Sequence, residues 1–332
     1  MDKFKHFLGI DVSKEYFDAV IILNSHKKDS IHAQFENNTK GVRKLHKWLE
    51  KNKAFKEETL VCLEHTGLYG KIIITQLLAL GYSLWVEMSL KIIRSVGVQR
   101  GKNDKVDAER IAYFAMKNVD EATIFRAPRK PVEAIRTLLS VREKLITTKT
   151  TLQKNIKELE IFDKELAKIS SKSLKNTLKG IEKDLKDIET QIDEIVKEDE
   201  NLSRIFRQAT SVPGVGKITT LFLICFTNEF TAYSTPRQLA CYCGVVPFEY
   251  TSGKSIRAKP KVHYMANKTL KKHLHMCALS AKTYDPEMKE YFERKVEEGK
   301  NKMLVINNVR NKLVHRICAC IRDNREFIKK IS

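Results

Sequence analysis

Leu174, Leu178, Ile181, Leu185, Ile188, Ile192 and Ile195 step along the chain by four and three residues without interruption. That spacing keeps one apolar stripe on a helix for three heptads, with Lys, Glu and Asp filling the remaining positions. An earlier series, Leu138, Leu145, Leu152, Ile156, Leu159 and Leu166, has the same character, and no proline occurs between Pro131 and Pro213. Residues 129–207 are therefore expected to form a helical coiled-coil segment that spaces and assembles rather than catalyses. Ser170-Ser171-Lys172-Ser173 is the expected turn between two helices. A hairpin and an intermolecular coiled coil both satisfy the pattern.

The flanking regions read differently. Within residues 1–128, His6–Ile10, Phe17–Leu23, Ile31–Phe35, Leu60–Leu63 and Ser83–Val86 have strand patterns. Lys40–Glu50 and Ile72–Leu80 have helical spacing, and Asn103 is a cap for a helix from Asp104 to about Met116. Three early strands followed by alternating helices and strands predict an α/β domain with a mixed sheet. Residues 208–332 are expected to form a mostly α domain. No apolar run reaches the length of a membrane span, and charged residues interrupt the N-terminal apolar pattern, so the expectation is a cytoplasmic protein with no membrane partner. Seven cysteines, an odd number spread through apolar segments, predict reduced core thiols rather than disulfides or zinc.

Charge then narrows the function. The formal net charge is +20, which favours polyanionic partners through counterion release. The charge is also segregated: Ser252–Ser332 carries 20 Lys+Arg against 8 Asp+Glu, a net +12, whereas Lys154–Glu200 carries 10 Lys against 13 acids, a net −3. Segregation points to a nucleic-acid surface over uniform solvation.

Four acids stand out. Asp11 follows the apolar run that closes with Gly9-Ile10, and Glu64 follows Leu60-Val-Cys-Leu63, so each acid sits where a buried strand is expected to end. Asp104 and Asp107 are three apart in a first helical turn and can face one point. Each acid alone has a bland explanation, as a turn acceptor or a partner of the helix dipole. Together they would repel one another unless a cation neutralised them, and Mg²⁺ prefers such oxygen donors.

Gly9-Ile-Asp-Val-Ser-Lys14, Glu64-His-Thr-Gly-Leu-Tyr69 and Lys102-Asn-Asp-Lys-Val-Asp-Ala108 resemble the N-terminal signatures of the DEDD insertion-sequence transposases, a family that includes the Piv and MooV DNA invertases. The resemblance implies an RNase H-like, RuvC-like domain in which three antiparallel strands precede two parallel ones. It assigns metal binding and catalysis to Asp11, Glu64, Asp104 and Asp107, with Mg²⁺ as cofactor and Mn²⁺ as a substitute.

In the C-terminal region, Ser211-Val-Pro-Gly-Val-Gly216 resembles the hairpin of a helix-hairpin-helix module, which makes Gly214, Gly216 and Lys217 candidate phosphate contacts. Lys254, Arg257, Lys259 and Lys261 crowd a segment expected to be a basic loop. From the residues alone, Ser252 before Gly253 reads as a turn serine. The family carries a Gly-x-x-Pro stretch and then a Ser-Gly pair whose serine is catalytic, and Ser252 occupies that position after Gly244-Val-Val-Pro247. Tyr264-Met-Ala-Asn-Lys-Thr-Leu-Lys271 departs from the Lys-x-Gly-Asn form of many members. The resemblance thus implies a composite active site, with Ser252 attacking phosphorus and Lys254 and Arg257 stabilising the transition state. It further implies DNA as substrate, a structured guide RNA and action at the nucleoid; two DNA partners need more than one active site, which predicts a homo-oligomer (dimer or tetramer) built through the coiled coil. Two rivals share these residues: a hydrolytic junction endonuclease that needs no Ser252, and a non-catalytic nucleic-acid scaffold.

Overall fold

A computed structural model describes residues 4–26, 29–65, 67–96, 103–252 and 256–328. The chain divides into two units, Met1–Ala127 and Pro128–Ser332.

In the first unit, β1 (His6–Val12), β2 (Tyr16–Ile22) and β3 (Ser30–Glu36) form an antiparallel meander. After α1 (Thr39–Lys51) the chain returns as β4 (Thr59–Glu64), parallel to β1. It continues through α2 (Lys71–Ala79) into β5 (Ser83–Glu87), parallel to β4. The sheet order is β3-β2-β1-β4-β5. Helices α3 (Ser89–Val96) and α4 (Asp104–Lys117) follow. Apart from α3, for which the sequence reading has no counterpart, these boundaries lie within two residues of those expected from the sequence, because each strand alternates between two apolar faces.

Those two faces meet different helices. Leu8, Ile10, Phe17, Ala19, Ile21, Val61 and Leu63 pack with Val42, Leu45 and Leu49 of α1 and with Ile73 and Leu77 of α2. Phe7, Val20, Ile22, Leu60, Cys62 and Trp85 pack with Ala108, Ile111, Ala112, Phe114 and Ala115 of α4. On this second face α4 crosses β1 at Gly9. A Cβ there would lie 2.2 Å from both the Ala108 carbonyl oxygen and the Ala112 nitrogen. Only glycine permits that approach, and it is this approach that brings the first turn of α4 to the end of β1.

The second unit is mostly helical. Its elements are α5 (Lys130–Phe162), α6 (Lys164–Glu198), α7 (Glu200–Thr210), α8 (Lys217–Phe226) and α9 (Pro236–Tyr242). The two-stranded ribbon β6 (Phe248–Ser252) and β7 (Ile256–Lys261) comes next, followed by α10 (Lys268–Tyr284), α11 (Pro286–Glu297) and α12 (Lys302–Arg322). Helix α8 is buried continuously from Thr219 to Cys225 and forms the centre of this core.

Helices α5 and α6 are antiparallel neighbours: Arg142 pairs with Glu189 at 2.8 Å, and Lys149 pairs with Glu182 at 2.8 Å, seven residues on along α5 and seven back along α6. The heptad residues Ile181, Ile188 and Ile192 form the buried face of α6. The turn falls at Asp163, which corrects the expectation of a turn at Ser170–Ser173. The Asp163 carboxylate accepts hydrogen bonds from the Glu165 and Leu166 amides and caps α6, whereas the serines lie inside that helix and Ser173 Oγ donates to the Ile169 carbonyl. The expected basic loop is also different: Arg257, Lys259 and Lys261 occupy alternate positions of β7, because β6 and β7 satisfy each other's backbone groups as a ribbon. All seven cysteines are free, and no described helix is long and apolar enough to cross a membrane.

Gly9→Ala is expected to force α4 off β1 at a cost on the order of 3 kcal/mol, read as a lower denaturation midpoint in urea. A midpoint equal to the parent's would contradict the tight crossing.

Candidate active site

Asp11 lies on the same side of β1 as Phe7 and Gly9, and Glu64 on the same side of β4 as Leu60 and Cys62, which is the face covered by α4. Ile10 is opposite Leu63, so Asp11 and Glu64 are the next neighbours toward the C-terminal ends of these parallel strands. The antiparallel partner of Asp11 is Asp18, and the parallel partner of Glu64 is Glu87. A row of acids therefore crosses the sheet on one face. The sequence reading missed Asp18 and Glu87, although the alternation within their strands places both on that side.

Three of these acids have nearby partners. Asp18 is 4% exposed, accepts from Gln34 Nε2 at 3.0 Å and lies 2.6 Å from His32 Nε2. Glu87 accepts from the Met88 amide at 2.8 Å and pairs with Lys91 at 3.1 Å. Glu64 accepts from Ser89 Oγ at 2.6 Å. Asp11 has no ion pair among the described residues. Burial pushes its carboxyl up to about 6, and repulsion from Asp107, Glu64 and Asp104 adds to the rise. Asn103 caps α4 by accepting from the Val106 amide at 2.8 Å, which fixes the turn that carries Asp104 and Asp107. Asp107 in turn pairs with Arg110 at 2.6 Å. The four acids singled out from the sequence thus act on one another electrostatically.

Among the described residues, no three His, Cys, Asp or Glu side chains stand close enough to form a metal cage. The carboxylates are an open cluster of hard oxygen donors. That donor set fits Mg²⁺, which uses one or two carboxylates and completes its shell with water and substrate phosphates. It does not fit zinc, which takes a closed set of Cys and His ligands.

The C-terminal candidates are placed separately. Gly214 has φ +87°, and a Cβ there would lie 2.7 Å from Ala281, so close packing on α10 accounts for this glycine. Gly216 caps α8 with open space around its Cα, and Lys217 pairs with Asp193 at 2.6 Å. Ser252 ends β6 opposite Ile256. Its side chain and those of Arg257 and Lys259 lie outside what the structure describes, and Lys254 lies outside the described residues. Lys261 ends β7 and is exposed.

A carboxyl whose folded-state pKa is raised favours the protonated form, so its stabilising contribution is present at low pH and is lost as pH rises through about 6. Without divalent metal, Asp11→Asn is expected to add ~1 kcal/mol of stability above pH ~7 after solvent screening, read as a higher Tm, with no gain below pH ~4. Thermal denaturation in a chelating buffer at both pH values checks this; a lower Tm above pH ~7 would contradict it.

Comparison with known proteins bears on the same residues. A family model of the DEDD IS110 type, described as "Transposase", matches residues 8–162, and one described as "Transposase IS116/IS110/IS902 family" matches residues 207–293. The pilin gene-inverting proteins of Moraxella bovis and Moraxella lacunata are each 24% identical to this chain, over 98% of it and 99% of their own length. The transposase for insertion sequence element IS1111A of Coxiella burnetii is 25% identical over 47% of this chain and 48% of its own. With both matched segments and the full-length similarity to the Moraxella proteins, the chain belongs to the IS110 family of transposases and recombinases.

Proposed function

We propose that this chain cuts and rejoins DNA, using Asp11, Glu64, Asp104 and Asp107 as a divalent-metal centre and Ser252 as nucleophile. The observation that supports it best is the carboxyl of Asp11, pushed up to about 6 by burial and by the three other acids. Arg110 offsets part of that repulsion at Asp107, and a bound cation would offset the rest. We read the sheet order β3-β2-β1-β4-β5, with acids at the C-terminal ends of its parallel strands, as an RNase H-like domain of the RuvC type.

Asp11, Glu64, Asp104 and Asp107 would hold Mg²⁺, or Mn²⁺ in its place, and the ion would supply positive charge to the phosphoryl oxygens. The remaining chemistry belongs to the chain. Ser252 Oγ loses its proton and bonds to phosphorus, the phosphodiester bond to one strand breaks, and the departing strand oxygen takes up a proton. A hydroxyl from a new strand then reverses the exchange, so the ester conserves the bond and no nucleotide cofactor is needed. Lys254 and Arg257 neutralise charge on the five-coordinate phosphorus, while Gly214, Gly216, Lys217, Lys259 and Lys261 are candidate backbone contacts, the first three as a helix-hairpin-helix turn between α7 and α8.

The Moraxella relatives are named for inverting a pilin gene and the Coxiella relative for moving an insertion element; both outcomes require strand exchange. Exchange between two DNA sites needs more than one active centre, so the working form is a homo-oligomer. The α5–α6 hairpin is the proposed coiled-coil contact, since Ile161 and Phe162 at its tip are 78% and 86% exposed. Ile161→Ser with Phe162→Ser is expected to lower the mass found by sedimentation, and an unchanged mass would remove the hairpin tip from assembly. A structured guide RNA would share the basic C-terminal surface.

Ser252→Ala is expected to abolish a covalent protein–DNA adduct on denaturing gels and to lower recombination by at least ~10³-fold. Full activity in that variant, or no adduct in the parent, favours the hydrolytic reading with the same acids.

A further inference from the structure

In the second unit several arginines pair with acids, and half-buried Arg204 is held by the side-chain oxygens of Asn201, Gln208 and Asn324. Arg316 pairs with Asp285 at 2.6 Å and Glu287 at 2.6 Å, Arg142 with Glu189 at 2.8 Å, and Arg129 with Asp199 at 2.6 Å. Arg310, in the middle of α12, does not follow this pattern. It is 6% exposed and has no ion pair among the described residues. Its Nη2 lies 2.5 Å from His275 Nδ1 on α10, its Nη1 reaches Asn307 Oδ1 only at 3.5 Å, and its Nε is buried without a partner. Burial alone lowers its pKa, with no acid opposing the shift. A guanidinium does not give up its proton in a protein, so the fold carries a buried cation without an anion. His275 cannot supply one: burial and the charge of Arg310 both hold its pKa down.

The surroundings indicate what is missing. Asn307 Nδ2 donates to the Val245 carbonyl at 2.7 Å, tying this part of α12 to the segment that enters β6. Gly244, with φ +67°, is packed so that a Cβ would lie 2.8 Å from Ala266 and 3.3 Å from Val262 Cγ1, in the segment that leaves β7. Asn267 closes the base, its amide donating to the Tyr242 carbonyl at 2.8 Å and its Nδ2 to Tyr242 Oη at 3.0 Å. Arg310 therefore lies beside the root of the ribbon whose first strand ends at Ser252. From Thr251 to Tyr284 the chain has eight Lys or Arg and no acid, so the local sequence offers no carboxylate to complete the pair.

We propose that Arg310 is a DNA-phosphate ligand at the base of the β6–β7 ribbon, held ready by His275 and Asn307. The inference rests on the reading of Ser252 above for the identity of the anion, and extends it to a residue outside the basic segment. The phosphodiester takes the unpartnered Nε edge and replaces the His275 nitrogen as acceptor, giving the two-pronged geometry that guanidinium and phosphate share. Lysine, a point charge, keeps the attraction and loses the fork.

Two measurements on the full chain test this. In thermal denaturation with inorganic phosphate against chloride at matched ionic strength, the parent is expected to gain stability from phosphate. Arg310→Met should need at least ~10-fold more phosphate for half the effect, Arg310→Lys an intermediate amount, and the exposed control Lys289→Met the parental amount. In binding to a short DNA duplex across a salt series, Arg310→Met should lower the slope of log K against log salt by about one, as expected for one lost phosphate contact. A normal phosphate response with a normal slope in Arg310→Met overturns the proposal. So does a loss of folding in both Arg310 variants, which would mark a packing residue. A phosphate effect without the DNA slope change marks a free-anion site and overturns the DNA assignment. Neither readout needs strand cleavage, so failure here is distinguishable from failure of the serine reaction.

Discussion

The crossing of α4 over Gly9 is the contact on which the candidate centre depends. Asp11 and Glu64 are neighbours because β1 and β4 are parallel and in register. Asp104 and Asp107 are about forty positions from Glu64 and over ninety from Asp11 in the chain, and on a helix. They join the strand acids because the Ala108 and Ala112 backbone can lie against a residue without a side chain. The small alanines at 108, 112 and 115 continue the same close packing along α4. A larger residue at position 9 would leave each acid pair intact and separate the two.

Electrostatics then distinguishes the acids in that row. Asp18 and Glu87 stand at its two ends and are satisfied by His32, Gln34 and Lys91. Asp11, between Asp18 and Glu64, has no cationic partner among the described residues, and its raised pKa records the cost of that position. The same reasoning sets Arg310 apart from Arg129, Arg142 and Arg316. Half-buried Asp11 in one unit and buried Arg310 in the other have no opposite charge beside them among the described residues, and in each case the proposed ligand (a divalent cation, then a phosphate) supplies it. Unpaired buried charges of this kind are a common mark of functional sites.

Much of this was legible in the sequence. Alternation in β1, β2 and β4 and the Asn103 cap locate the strands and the start of α4, since burial on two faces and capping are local requirements. The family resemblance ties the acids together, but the reason they meet was not legible, because Gly9 shows its role only against the backbone of a distant helix. Asp163 has the side chain of a helix cap, yet the serine cluster at 170–173 looked like the stronger break; serines are tolerated inside a helix when they bond back to a carbonyl, as Ser173 does. Arg310 lies between Ile306 and Leu313 on the buried face of α12, so the helical period could have flagged it. That no acid faces it depends on how α10 and α12 pack, which no local pattern records.

Calorimetric titration of the full chain with Mn²⁺, in the absence of DNA, tests the central claim most directly. The parent is expected to bind the ion, and Asp104→Asn with Asp107→Asn to weaken binding at least ~10-fold while the circular dichroism spectrum stays the same. Equal Mn²⁺ affinity in the parent and the double variant would contradict a metal centre shared between the sheet and α4.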